Sequence, residues 1–278
     1  MAGTVRKPAV SGQFYPAGKK ELAGLVDGCF SDGFFGPGGV FEENPAIVGG
    51  IVPHAGLVYS GPCAAAFYSS LPRDMFRTIV ILGTNHTVAG SRISIAPWDF
   101  WETPLGKVPV NQALAQKLSG TGLFETNPAP HLKEHSIEVQ LPFLQARIEK
   151  FSILPLIVSS SGEFEELEEA GKALAKLIEP KRTLLLASSD LNHYEGKAET
   201  ERKDSLAIGA ALSLSPEKLW KTVLNERISM CGISPSIVLL SALEALGATK
   251  ARLVKHYNSG DVIPADWVVG YASVSFLK

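Results

Sequence analysis

The sequence predicts a single α/β domain spanning residues 1–278, with a mixed, mostly parallel β-sheet flanked by helices on both faces. Apolar runs of strand length alternate with helix-like stretches along the whole chain, the pattern of βαβ units with crossover helices. Several of those runs, such as Leu184-Leu185-Leu186-Ala187, are apolar at consecutive positions rather than alternate ones. That is how a strand covered on both faces reads. At 278 residues, 45% hydrophobic and 19% charged, the chain is also long enough to bury a sizeable core.

The elements follow in order. A helix is expected over 19–30, then the most loop-like segment, 34–44, which is too short for a domain linker. A strand over 46–52 contains Gly49-Gly50 and stops at Pro53. The alanine-rich stretch around Cys63-Ala64-Ala65-Ala66-Phe67 predicts a helix over 61–70. Strands over 78–82 and 92–96 and a helix over 112–118 come next. Pro128 and Pro130 keep His131 off any preceding helix, and Ser136 or its neighbours could cap a helix over 136–149, with Pro142 predicting a kink or early end. A strand over 152–158, a helix over 163–178 and a strand over 183–187 complete the centre. Helices over 199–211, 216–224 and 235–246 and strands over 251–257 and 267–276 close the fold.

Charge and composition narrow the function. A net charge of −2 and a pI near 6.3 give no electrostatic case for nucleic acid or an anionic membrane. No apolar stretch reaches the roughly 18 residues needed to span a bilayer. The segment Met1-Ala2-Gly3-Thr4-Val5-Arg6-Lys7-Pro8 lacks the apolar stretch of a signal peptide, so a cytoplasmic protein is expected. Three cysteines, an odd number, do not suggest a disulfide framework. Cys29 and Cys63 read as small core residues, whereas Cys231 sits in a turn-rich junction before a helix. No GxGxxG, P-loop, Gly-x-Ser-x-Gly or Cys-x-x-Cys motif occurs, which leaves nucleotide-binding, serine-hydrolase and dithiol readings unsupported.

Three apolar runs each end on a histidine. They are Ile51-Val52-Pro53-His54, Ile79-Val80-Ile81-Leu82-Gly83-Thr84-Asn85-His86, and Leu184-Leu185-Leu186-Ala187-Ser188-Ser189-Asp190-Leu191-Asn192-His193. Ligands of open α/β sheets bind outside the carboxyl ends of the strands, so His54, His86, Asp190 and His193 are expected on one rim. Histidine is both the commonest metal ligand and the usual acid–base group near neutral pH. The plainer alternative has each imidazole bonding a loop carbonyl and Asp190 capping a helix. In His131-Leu132-Lys133-Glu134-His135, His135 could reach the same rim, while His131 and His256 read as solvent or loop residues.

Several segments carry a resemblance. Lys7-Pro8-Ala9-Val10-Ser11-Gly12-Gln13-Phe14-Tyr15-Pro16, Val52-Pro53-His54-Ala55-Gly56, Leu82-Gly83-Thr84-Asn85-His86 and Thr103-Pro104-Leu105-Gly106 come in the first half. Glu134-His135-Ser136-Ile137-Glu138, Ser188-Ser189-Asp190-Leu191-Asn192-His193 and Cys231-Gly232-Ile233 follow. Together and in this order they resemble the Memo family over nearly the whole chain. The resemblance implies a fold similar to class III extradiol ring-cleaving dioxygenases, which use non-haem iron(II). It assigns a metal to His54, His86 and Cys231, and acid–base work to His193, Asp190 and His135. The dioxygenases resemble a two-His-one-carboxylate pattern; a thiol in the third position makes a softer set, suited to Fe(II), Cu or Zn. The implied functions are a metal-dependent oxidoreductase or a non-catalytic metal-binding or partner-binding protein. The ligand is an unknown small molecule or peptide, and bacterial and archaeal relatives look like companions of a radical-SAM protein and an AMMECR1-like protein.

Overall fold

The structure, a computed structural model, describes residues 3–87, 90 and 92–278; Met1 and Ala2 of the amino-terminal reading lie outside it. The chain begins with β1 (Val5–Arg6), α1 (Lys19–Ser31), β2 (Ile47–Val52), α2 (Leu57–Tyr68) and β3 (Thr78–Thr84). Then come β4 (Ile93–Ile95), β5 (Phe100–Thr103), β6 (Gly106–Pro109), α3 (Gln112–Ser119) and β7 (Glu125–Thr126). Short 3-10 turns at Ala129–His131 and Glu138–Gln140 lead into α4 (Leu141–Arg147), β8 (Ser152–Val158), α5 (Phe164–Leu177) and β9 (Thr183–Ser188). The last stretch holds β10 (His193–Glu195), α6 (Lys197–Leu212), α7 (Pro216–Asn225), α8 (Ile233–Ala245), β11 (Lys250–Asn258), α9 (Ser259–Val262) and β12 (Val268–Leu277).

The central strands lie in the order β2-β9-β3-β8 and are parallel throughout, with Ile51 beside Ala187 and Val80 beside Leu154. Every residue of β3 and β9 is buried, as their consecutive apolar positions require. Toward the margins the pairing turns antiparallel, β12 with β2, β10 and β11 and β4 with β8, while the outermost β7 runs parallel to β4. Mixed topology is therefore concentrated at the edges of a parallel centre. One face packs against α5, α7 and α8, the other against α1, α2 and α4. A second, three-stranded sheet of β1, β5 and β6 stands apart. Among the described residues, no helix is long and apolar enough to cross a membrane.

The sequence expectation misplaced the start of α2. Pro62 invites a helix beginning at Gly61, because proline favours the first helical turn, yet the helix begins at Leu57 and carries Pro62 inside it. The i−4 carbonyl that loses its partner belongs to Val58, on the exposed side of the helix. Pro142 acts as expected: the stretch over 136–149 divides into a 3-10 turn and α4, with the proline near the start of α4. The strands β1, β5, β6, β7 and β10 and the one-turn α9 have no apolar run of their own to announce them.

Candidate metal centre

Because β2, β9 and β3 are adjacent and parallel, their carboxyl ends open on one rim. There lie His54 two residues past β2, His86 two past β3, and the Ser189–His193 turn past β9. Two further segments join them. The loop at 134–136 brings His135, and the turn before α8 brings Cys231. Gly232 is required there, since a Cβ would run into the Ser189 side chain. Its N–H instead donates to Ser189 Oγ at 2.9 Å, and Thr84 Oγ1 donates to the Cys231 carbonyl at 3.1 Å.

These residues line a cavity of about 530 Å³, walled also by Phe14, Tyr194 and Tyr271. One ligand atom from each of His54, His86 and His135 lies within 4.8 Å of the others. Their ring centroids are 4.8–5.2 Å apart. Cys231 Sγ is 3.2 Å from His54 Nε2. His54 is buried and His86 exposed, so the group opens to solvent on the His86 side. A second cavity of about 520 Å³, between the 36–44 loop and β11, is lined by no histidine or cysteine. Chemistry selects the first.

Hydrogen-bond partners fix where each imidazole carries its proton. Ser188 has one hydroxyl hydrogen, and it goes to the Ser136 carbonyl at 2.6 Å. Toward His54 Nδ1, 3.0 Å away, Ser188 can then only accept, so His54 is protonated on Nδ1 and bare on Nε2. Glu134 also only accepts. Its Oε1 receives His86 Nδ1 at 3.0 Å and faces His135 Nδ1 at 3.3 Å. His193 Nδ1 donates to the Ser229 carbonyl at 2.9 Å. His54, His86 and His193 thus carry their proton on Nδ1 and leave Nε2 bare of one, and His135 turns its Nδ1 toward the same Glu134 oxygen as His86. The other two are reversed: His131 Nε2 donates to the Ser94 carbonyl and His256 Nε2 faces Asp204, each at 3.0 Å.

Burial acts on the same groups. His54 is held well below the usual imidazole range by burial and then by neighbouring His135 and His86. Burial also lowers His135, to about 4, against the opposing pull of Glu134. Both are neutral at pH 7, the form in which imidazole binds metal. Burial would raise Glu134, but the hydrogen bonds from His86 and the nearness of the His86 and His135 imidazoles prevail and hold it at about 2. Asp190 rises to about 6 through burial, although His54 N donates to its Oδ1 at 2.7 Å. Burial, reinforced by Asp190, pushes the Cys231 thiol above its ordinary range.

The structure therefore gathers His54, His86, His135, Asp190, His193 and Cys231 around one cavity. Asp190 accepts from the backbone of His54 and Ala55, while Ser229 holds His193. And His131, expected in a solvent or loop role, is fully buried between Trp98 and Trp101. Sequence reasoning gave no role to Glu134, Ser188 or Ser229. Gln140, whose Nε2 donates to Ser188 Oγ at 2.8 Å, also went unnoticed. The available signal was Glu134 itself, an acid directly beside His135.

Fold and site together define an α/β protein with a histidine-lined, metal-type pocket at its strand ends. The family model described as "Memo-like protein" matches residues 6–275, and the chain belongs to the Memo family. A "MEMO1 family protein" of Thermotoga neapolitana is 42% identical over 278 residues, covering 97% of this chain and 98% of the relative. Another, of Nitrosopumilus maritimus, is 36% identical over 276 residues, covering 98% and 100%. The fold is also similar to the crystal structure of an uncharacterized protein of Escherichia coli K12, with a TM-score of 0.52 and 14% identity, covering 82% of this chain and 99% of that one.

Proposed function

We propose that this chain is a metal-dependent, oxidoreductase-like protein whose dioxygenase-type pocket holds one transition-metal ion. The ligands are His54, His86 and Cys231, with His135 inside the same donor group. The observation that carries this reading is the convergence of three imidazoles, two with Nδ1 hydrogen-bonded to fixed partners and the third with Nδ1 turned toward one. The donors fit an ion. With metal–nitrogen and metal–sulfur bonds of about 2.1 and 2.3 Å, a tetrahedral nitrogen–sulfur pair lies roughly 3.5 Å apart, close to the 3.2 Å between His54 Nε2 and Cys231 Sγ. Fe(II), Cu or Zn suits this set, and such an ion supplies Lewis-acid or redox activation of a bound small molecule.

The protein's own groups do the rest. His193, oriented by Ser229, offers a bare Nε2 to the cavity as a general base. Asp190 fixes the backbone of His54. Phe14, Tyr194 and Tyr271 supply apolar walls for a ligand of unassigned identity. Cys231 favours a second reading, metal binding without turnover, because a thiol stands where ring-cleaving enzymes resemble a carboxylate set. Metal analysis of protein purified without oxygen or affinity tag tests the proposal. About one ion per chain is expected, falling sharply in His54→Ala and His86→Ala. A chain that carries no metal and takes up none of added Fe(II), Cu or Zn would overturn it.

A further inference from the structure

Four N–H groups hydrogen-bond the Glu134 carboxylate, and a fifth nitrogen, His135 Nδ1, faces it. Oε2 accepts from His86 N at 2.7 Å. Oε1 accepts from His86 Nδ1 at 3.0 Å and from His135 N and Ser136 N at 2.9 Å each, and it faces His135 Nδ1 at 3.3 Å. The side chain is fully buried. A buried carboxylate needs a compensating positive charge or a full set of donors. The side chains that face it are the two imidazoles. The guanidinium of Arg6 comes near, but it bonds the Glu134 carbonyl rather than the carboxylate.

Backbone capping explains three of these contacts. It leaves unexplained why the imidazole of His86, 48 residues from Glu134, and that of His135 turn the same atom toward the same oxygen. Resting on the metal reading above, we infer that Glu134 is the positioning residue of the centre: one carboxylate sets the tautomer and rotation of both His86 and His135, and supplies negative charge behind them. Carboxylates that orient metal-bound histidines raise ligand basicity and fix the ring, and losing one costs roughly 10–100-fold in metal affinity. Here a single group serves two donors, so its removal loosens both together. An amide cannot replace it, because Glu134→Gln would aim a new N–H into a site where only donors converge.

The inference has two independent tests. In metal-free wild-type protein at neutral pH, imidazole nitrogen NMR shifts should show His86 and His135 protonated on Nδ1, the reverse of His131. Finding either protonated on Nε2 would overturn the assignment, and this measurement requires no variant. In the second test, Zn(II) is titrated against a chromogenic chelator in wild type and Glu134→Gln. The variant should bind roughly 10–100-fold more weakly, and its metal-free thermal midpoint measures separately the folding cost of the lost acceptor. Equal affinity in the two proteins would refute the inference. A wild type that binds no Zn(II) would count against the metal reading, and the tautomers would still decide the role of Glu134. If Glu134→Gln does not fold, the tautomer result alone decides.

Discussion

His193 and Cys231 share a cavity with the three clustered imidazoles but stand differently toward them. Cys231 Sγ touches His54 Nε2; the ring of His193 is anchored to Ser229 on the far side of the Asp190 turn. Cys231→Ser should therefore lose most of its affinity for the metal and stay folded, since the thiol belongs to a turn rather than the apolar core. Unchanged metal content in that variant would remove Cys231 from the ligand set. His193→Ala should keep metal near the wild-type level and lose turnover once a substrate is found. Equal metal loss in His193→Ala and His54→Ala would make His193 a ligand instead. His193 was legible in the sequence because an apolar run that ends on a polar residue is a local signal, whereas the role of Cys231 came through the family resemblance. Glu134, Ser188 and Ser229 were not legible, because each acquires its role from a histidine 36 to 134 residues away.

At the scale of elements, the turn carrying Asp190 and His193 is clipped to β12. Leu191 N donates to the Gly270 carbonyl and Gly270 N to the Asn192 carbonyl, at 2.8 and 2.9 Å. Asp204 of α6 accepts from Asn192 N beneath it, and a Cβ at position 270 would strike the Asp204 carboxylate. Gly270→Ala should cost about 1–3 kcal/mol, read by urea unfolding; a neutral result would show that Asp204 moves aside freely. The 3-10 turn at Ala129–His131 gives a pH prediction. Burial lowers folded His131 to about 3, against about 6.5 in an unfolded chain. The unfolded state therefore binds the extra proton between those values. Stability from this group is present above about pH 6.5 and is lost progressively as pH falls toward 3. His131→Gln, which can still donate to the Ser94 carbonyl, should reduce the slope of unfolding free energy against pH in that window by up to about 1.4 kcal/mol per unit. An unchanged slope would contradict the assignment. Long strands and helices were readable from period and length, whereas β10 exists through its bulged pairing with β12, which no local pattern records.

For the whole molecule, the parallel centre dictates where function collects, because β2, β9 and β3 discharge their loops on the same side. A metal bound there stabilises the folded state alone, by about 2.7 kcal/mol at a free concentration 100 times Kd. Added Zn(II) should raise the thermal midpoint of wild type and leave that of His54→Ala unmoved; a rise of equal size in both would locate the ion elsewhere. Loaded anaerobically with Fe(II), the wild type should show little or no extradiol cleavage of simple catechols, since a thiol is itself open to oxidation. Cys231→Asp or Cys231→Glu tests whether a carboxylate restores it. Robust formation of the yellow ring-opened product by wild type would make the dioxygenase reading the leading one.

The register of β12 on β2 has a consequence for how the protein matures. Val274 lies beside Ile51, so the strand that steadies the His193 turn comes from far along the chain and docks next to the strand that delivers His54. Such distant pairings are slow steps in folding. A partly folded chain that has assembled β2, β9, β3 and the 134–136 loop would own three imidazoles without β12 to clip the Asp190–His193 turn. Full-strength metal capture then reports completed folding, and the rate at which refolding protein gains tight Zn(II) binding should follow the docking of β12 rather than the earlier appearance of helix.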